Sequence, residues 1–163
     1  MTHANRVLAV FAMMGFVAGV TYSQEPPQHA SAQKEIKITP DELKWMPGPM
    51  ALPSGVQVAV LLGDLGKAEP FTVRIKAPDG YRLPPHFHPT DEAITVLKGT
   101  LMMGSGDHFD KSKTVPLTAG SFYMLPRGHH HYVWTKGETV LQLHAMGPFG
   151  ITYVNPSDDP RHK

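Results

Sequence analysis

The sequence predicts an all-β domain built as a sandwich or a barrel. Short runs of β-forming residues follow one another, and turn signals rich in Gly and Pro separate them. The clearest run, residues 71–77, alternates Phe, Val and Ile with Thr, Arg and Lys, which is the period of a half-buried strand. Many short strands at close spacing are typical of sandwiches and barrels.

The predicted elements follow in chain order after one helical turn at residues 39–43. In that turn, Thr39 is the predicted N-cap, Pro40 the first helical residue and Glu42 the capping-box partner. The predicted strands are residues 56–62, 71–77, 93–97, 100–103, 121–125, 131–135, 139–145 and 151–154. The predicted turns between them are residues 78–80, 98–99, 104–107, 119–120 and 136–137.

Residues 1–23 have the pattern of a cleaved secretory signal peptide. One positive charge, Arg6, precedes an apolar run over residues 7–20, and small residues then lead to a cleavage point before Gln24. The run is shorter than the roughly 18–20 residues of a spanning helix, so no stable membrane anchor is expected. The pattern predicts a periplasmic or secreted protein.

Composition bounds the rest of the chain. Residues 24–35 are polar and contain proline, which predicts a flexible spacer, and residues 156–163 form a polar tail after a single domain at 36–155. Fifteen basic residues face 14 acidic ones, so no basic surface is expected to recruit nucleic acid. The chain has no cysteine, which excludes thiolate nucleophiles, Fe–S clusters and cysteine-ligated zinc.

Two clusters combine metal-ligating side chains with a restrained backbone. In the first, His86 and His88 follow two prolines and precede Glu92. In the second, three histidines at 129–131 follow the tight turn 126–128. Because residues i and i+2 of a strand point to the same face, the first pair would direct both imidazoles toward one point inside a barrel.

Three imidazoles and one carboxylate suit divalent Fe, Mn, Zn, Ni, Co or Cu. Four protein ligands on an octahedral ion leave two positions open for a bidentate substrate, or for a substrate together with O₂, which favours catalysis over a closed structural site. The alternative is that, among ten histidines, the run 129–131 is a solvated loop and the His86–His88 pair binds no metal.

With their flanking glycines and proline, the two clusters resemble the two motifs of the cupin superfamily. The residues that match the first motif are Gly80, His86, His88, Glu92 and Gly99, and those that match the second are Gly120, Pro126, Gly128 and His131. The resemblance covers about residues 56–154. Thr135 departs from the pattern, since the second motif usually has Asn there, but that position is not a ligand in the family.

The resemblance implies a cupin jelly-roll β-barrel over residues 36–155 with a short N-terminal arm. It also implies that His86, His88, Glu92 and His131 bind one divalent transition metal inside the barrel, with Fe or Mn favoured over Zn, Ni, Co and Cu. A homodimer is expected by analogy with other small cupins.

Three polar residues on predicted strands are candidates for orienting a substrate near the metal. They are Arg74, Gln142 and His144, any of which could face a carboxylate or an enolate. The alternative for Arg74 and Gln142 is the outer, solvated face of the barrel.

The pattern favours a metal-dependent, dioxygenase-type oxidoreductase that acts on a small organic molecule. Two alternatives stay open at this point. One is a metal-assisted isomerase that uses the ion as a Lewis acid. The other is a secreted protein that binds or senses a small ligand or a metal without turnover.

Overall fold

Nine strands, all paired antiparallel, make up the part of the chain that the computed structural model describes, residues 34–163. The strands are β1 (Met46–Pro47), β2 (Gln57–Leu62), β3 (Pro70–Ala77), β4 (Arg82–Phe87), β5 (Glu92–Ser105), β6 (Val115–Thr118), β7 (Phe122–Leu125), β8 (His131–Met146) and β9 (Thr152–Tyr153). The only helical segments in these residues are short 3₁₀ turns, at Pro40–Glu42, Lys111–Lys113, Pro156–Asp158 and Pro160–His162. The prediction of an all-β fold is therefore confirmed.

Lys37–Lys163 forms one compact unit. The predicted signal peptide at 1–23 and nearly all of the predicted spacer at 24–35 lie outside the described residues. Within residues 34–163, no helix has the length and apolar character needed to cross a membrane.

The two longest strands, β5 and β8, organise the sheet. They pair with each other from Glu92 opposite Ala145 to Ser105 opposite His131. The second half of β8 also pairs with β3, and its first half pairs with β4. Strand β5 carries β6 and β7 on its other edge, so the antiparallel sheet curls around these two strands.

Two predicted turns, residues 98–99 and 136–137, are wrong as chain reversals. Strands β5 and β8 each continue through these positions, although the register of β5 shifts between Val96 and Thr100. Gly99 and Gly137 both have φ near +75°. A left-handed glycine lets a strand bend or bulge without ending it, and that bend curls the sheet.

The matched conformations of Gly99 and Gly137 give a stability prediction. A Cβ atom on Gly99 would overlap the backbone carbonyl of Glu138, whereas a Cβ atom on Gly137 would meet no atom within 4 Å. We expect Gly137→Ala to cost about 1–2 kcal/mol, the penalty of a left-handed alanine, and Gly99→Ala to cost roughly 1–3 kcal/mol more because backbone must move. Urea unfolding of both variants checks this, and equal costs would contradict the bulge account.

The core lies inside the curled sheet, on one face of each strand. Phe71 and Val73 of β3, Ile94 and Val96 of β5, and Leu143 of β8 are all buried, and the residues between them face outward. This alternation is the period that the sequence shows at 71–77, and it fixes which side chains line the interior.

Short 3₁₀ turns lie near both ends of the compact unit. At the amino end, the predicted turn forms as the 3₁₀ turn Pro40–Glu42, and the Glu42 carboxylate accepts a hydrogen bond from the Thr39 backbone N–H at 2.7 Å. At the carboxyl end, the two 3₁₀ turns of residues 156–163 flank Asp159, whose side chain is buried.

Candidate metal centre

Three strands bring the four predicted ligands together. His86 lies in β4 directly opposite His131, which begins β8. His88 follows the last residue of β4, and Glu92 is the first residue of β5. All four side chains are buried, with between 1% and 7% of each residue exposed.

The turn of the second cluster is hydrogen-bonded to the chain segment of the first. The Gly128 backbone N–H donates to the carbonyl of His88 at 2.9 Å, and the Arg127 backbone N–H donates to the Asp91 carboxylate at 2.8 Å. Gly128 has φ +73°, so the turn requires glycine there. These bonds hold the two clusters together although they are far apart in sequence.

The ligating atoms converge. One ring nitrogen from each of His86, His88 and His131 lies within 4.8 Å of the other two. Glu92 Oε2 lies 3.6 Å from His88 Nε2 and 3.7 Å from His131 Nε2. The three imidazoles could therefore hold one metal ion, with a carboxylate oxygen beside them.

Each histidine has its other ring nitrogen fixed by the backbone. Nδ1 of His86, His88 and His131 lies 2.7, 2.6 and 3.0 Å from the carbonyl oxygens of Pro84, Gly150 and His129, respectively. A carbonyl only accepts, so each Nδ1 carries the proton and donates it. Each Nε2 therefore presents its lone pair to the centre, the arrangement that surrounding hydrogen bonds impose on metal-ligating histidines.

Burial also sets the charge of the four groups. Desolvation, together with the neighbouring imidazoles His131 and His88, holds the pKa of His86 well below its ordinary value. Desolvation lowers the pKa of His88 and brings that of His131 to about 4, so all three rings are neutral near pH 7. Desolvation raises the pKa of Glu92 to about 8.

The Glu92 carboxylate gives the most direct evidence that the centre fits a metal ion. Its Oε2 atom is buried and has no hydrogen-bond partner within residues 34–163. Such a buried acceptor costs free energy unless a cation or a donor meets it. Three neutral Nε2 atoms and this oxygen form a donor set that suits a divalent transition metal.

A largely apolar cavity of about 390 Å³ opens onto the centre. Its wall includes Ile94 of β5, Val133 of β8 and Phe149, whose ring stacks on that of His88 with centroids 4.5 Å apart. The side chains of Tyr81 and Thr135 also line it, but their hydroxyls donate to backbone carbonyls. A cavity of this size and character suits a small organic molecule.

The structure corrects the expectation that Arg74, Gln142 and His144 orient a substrate in this cavity. None of the three lines it. They form a hydrogen-bonded row on the outer face, where Arg74 Nε donates to Gln142 Oε1 at 3.1 Å and Gln142 Nε2 lies 3.0 Å from His144 Nε2. Strand alternation is the reason, since their neighbours Val73 and Leu143 fill the interior.

The two histidines beside His131 have other partners. His129 Nε2 lies 3.0 Å from the Ser105 hydroxyl, and His130 Nδ1 lies 2.6 Å from Asp107 Oδ1. Of the run 129–131, only His131 joins the buried group.

The sequence does not indicate that Arg161 lines the cavity. The sequence indicates a polar tail at 156–163, yet the Arg161 side chain lines the cavity beside Ile151 and Gly150. No local pattern marks this residue, because it reaches the cavity only through the fold of the carboxyl-terminal turns.

Comparisons with known proteins agree with the fold and the motifs. Residues 25–159 match the family described as Domain of unknown function (DUF4437). Oxalate oxidase GF-2.8 of Triticum aestivum is 35% identical over 86 residues, which are 48% of this chain and 38% of that protein. The matched segments span 28% to 38% of the length of the curated relatives.

Three solved structures have similar folds. The polyketide cyclase RemF of Streptomyces resistomycificus has a TM-score of 0.63 at 20% identity, over 78% of this chain and 90% of that one. A putative acetylacetone dioxygenase of Methylibium petroleiphilum PM1 has a TM-score of 0.61 at 20% identity, over 80% and 88%. An RmlC-like cupin of Shewanella frigidimarina also superposes, with a TM-score of 0.55 at 17% identity over 71% of this chain and 95% of that one. The predicted jelly-roll barrel is confirmed by these similar folds, and the match over residues 25–159 shows that the chain belongs to the DUF4437 family.

Proposed function

We propose that the protein is a metal-dependent enzyme that acts on a small organic molecule by dioxygenase-type oxidoreductase chemistry. The observation that carries the proposal is the meeting of three buried, neutral imidazoles and an unpartnered carboxylate at the wall of an apolar cavity. Buried polar groups of this kind cost stability, and perturbed ionisable groups in a cavity are typical of functional sites.

The proposed ligands are His86, His88, Glu92 and His131, with one divalent ion, Fe or Mn favoured. The Nδ1 hydrogen bonds keep all three rings oriented before any ion binds, which limits the entropy lost on binding. With four protein ligands, a six-coordinate Fe(II) or Mn(II) ion would supply two open positions at which a substrate and O₂ can meet.

The chain itself would exclude water and hold the organic part of the substrate. Side chains such as Ile94, Leu101 and Val133 make the wall apolar, so a bound molecule displaces solvent and electrostatic interactions at the centre gain strength. In the metal-free protein, Glu92 holds a proton near neutral pH, because desolvation raises its pKa to about 8.

The cavity favours oxidation over isomerisation. An isomerase must remove a proton from carbon and return it, which requires a free acid or base. Among the cavity-lining residues described, Glu92 is the only carboxylate, and the hydroxyls of Tyr81 and Thr135 are committed to the carbonyls of Pro53 and Pro78. The described part of the cavity therefore offers no acid or base beyond Glu92 for moving a proton between carbon atoms, which supports the oxidative proposal.

Two further predictions belong to this proposal. The signal-peptide pattern at residues 1–23 would direct the enzyme to the periplasm or out of the cell. The resemblance to small cupins predicts a homodimer, which light scattering of the purified chain would test.

Oxygen uptake tests the proposed reaction. We expect the protein reconstituted with Fe(II) or Mn(II) to consume O₂ when acetylacetone, catechol or an aromatic acid is added, with loss of that substrate in proportion. The matched control is a His86→Ala/His131→Ala variant treated identically, which should consume none. Tight binding of a compound that mass spectrometry recovers unchanged, with no O₂ uptake, would instead identify a binding protein.

A further inference from the structure

Arg161 brings a cation to the cavity that the metal centre shares. It lies in the last 3₁₀ turn, Pro160–His162, and among the described cavity-lining residues it is the only Lys or Arg. Its side chain is 44% exposed, so it stands at the rim of the cavity and remains open to solvent.

The guanidinium is held in one orientation along one of its edges. Arg161 Nε donates to Asp159 Oδ1 at 2.8 Å and Nη2 donates to Asp159 Oδ2 at 2.6 Å, which is a bidentate pair. Nη2 also donates to the Ile151 carbonyl at 3.3 Å. Asp159 is itself fixed, since it accepts from the Arg161 backbone N–H at 3.0 Å.

These contacts leave one end of the fork available. Nη1 carries two N–H groups, and neither has a hydrogen-bond partner within residues 34–163. A fixed, planar donor of this kind loses little conformational entropy when it binds a carboxylate. Asp159 therefore acts as a positioning residue for the free end of Arg161.

A short chain segment joins Arg161 to the metal centre. The Ile151 carbonyl accepts from Arg161, and the carbonyl of the preceding residue, Gly150, accepts from His88 Nδ1 at 2.6 Å. Both residues line the cavity. The guanidinium and the His88 ring are thus held by adjacent peptide groups at the same part of the wall.

We propose that Arg161 binds the carboxylate of the substrate through Nη1, so that the cavity takes organic monoacids with an apolar body. This inference rests on the proposed function, which places the reacting end of the substrate at the metal centre. Three neutral imidazoles and one carboxylate leave a divalent ion with one net positive charge, which a monoanion balances. The apolar wall receives the carbon skeleton, and charge-assisted hydrogen bonds from Arg161 fix its acidic end.

Benzoate and its neutral counterpart benzamide test the inference in the zinc-loaded protein, because Zn(II) has no redox chemistry with which to oxidise them. By calorimetry, we expect the wild type to bind benzoate at least about tenfold more tightly than benzamide. Arg161→Gln should weaken benzoate binding about 10- to 100-fold, the loss expected for hydrogen bonds to a charged group, and leave benzamide unchanged. Arg161→Lys keeps the positive charge but loses the planar set of donors. Its affinity for benzoate should lie between that of the wild type and that of Arg161→Gln.

The matched control is Arg74→Gln, which removes a guanidinium from the outer face and should leave both affinities unchanged. Equal binding of benzoate and benzamide by the wild type, or benzoate binding by folded Arg161→Gln at wild-type strength, would overturn the inference. Zinc content is measured in every sample, so failure of the metal centre is seen separately. In zinc-free protein, tighter benzoate binding by the wild type than by Arg161→Gln would support the role of Arg161 without the metal, and equal binding would contradict it.

Discussion

Replacing both His86 and His131 by alanine is expected to reduce the bound metal from about one ion per chain to none. The change removes two of the three Nε2 atoms that meet at the centre and leaves His88 and Glu92 as a pair too weak to retain an ion through dialysis. Elemental analysis after metal loading measures this, and O₂ uptake should disappear with the metal. Circular dichroism checks that the variant is folded, because both histidines are buried.

The control for this variant lies next to it in the sequence. His129→Ala/His130→Ala also removes two imidazoles, but those rings contact Ser105 and Asp107 rather than the centre. We expect it to retain the wild-type metal content. A folded His86→Ala/His131→Ala protein with full metal, or loss of metal from the control alone, would refute the proposed ligand set.

Glu92→Gln is expected to change both the strength and the pH dependence of metal binding. Desolvation raises the pKa of Glu92 to about 8, so an ion that binds at pH 7 must displace a proton from the carboxyl group. The apparent affinity of the wild type should therefore fall about tenfold for each pH unit between pH 8 and 6.5. The histidines add no slope in this window, since their pKa values lie below the ordinary one.

In Glu92→Gln, the slope should vanish and the affinity at pH 8 should fall about 10- to 100-fold, comparable to the loss of a group that supports a metal site. Calorimetric titration with Zn(II) at several pH values measures both quantities. Glu138→Gln, an exposed change that removes only the contact with Lys98, is the matched control and should keep the wild-type slope. An unchanged slope in Glu92→Gln would mean that this carboxylate does not bind the ion.

The same substitution should stabilise the metal-free protein at alkaline pH. The folded state keeps the Glu92 proton up to about pH 8, whereas the unfolded chain releases it near pH 4.5. The folded state therefore binds more protons in this window, and stability is lost as the pH rises through it. Glutamine has no proton to lose, so metal-free Glu92→Gln should melt at a higher temperature than the wild type at pH 8. The opposite effects on stability and on metal affinity are typical of a functional residue.

The grouping of the four predicted ligands was predictable because each half of the group is local in the sequence. His86, His88 and Glu92 lie within seven residues, and the turn before His131 is marked by Pro126 and Gly128. Local spacing of this kind predicts the direction of each side chain, because the conformation of the nearby backbone determines where that side chain points.

Other features depend on contacts between residues that are far apart in the sequence, which local patterns do not reveal. Residues 98–99 and 136–137 have turn chemistry, but the long pairing of β5 with β8 converts them into bends within strands. Strand β4 contains Pro84 and Pro85, and prolines normally argue against a strand. They are accommodated here because β4 is only partly hydrogen-bonded to its neighbours. Arg161 lines the cavity only because the carboxyl-terminal turns fold back on residues 150–151.

Anomalous diffraction from crystals of the metal-loaded protein would locate the bound ion. We expect one strong peak bounded by the Nε2 atoms of His86, His88 and His131 and by Oε2 of Glu92. A peak beside His129, His130 and Asp107 instead, or no peak in crystals grown with the metal, would contradict this expectation.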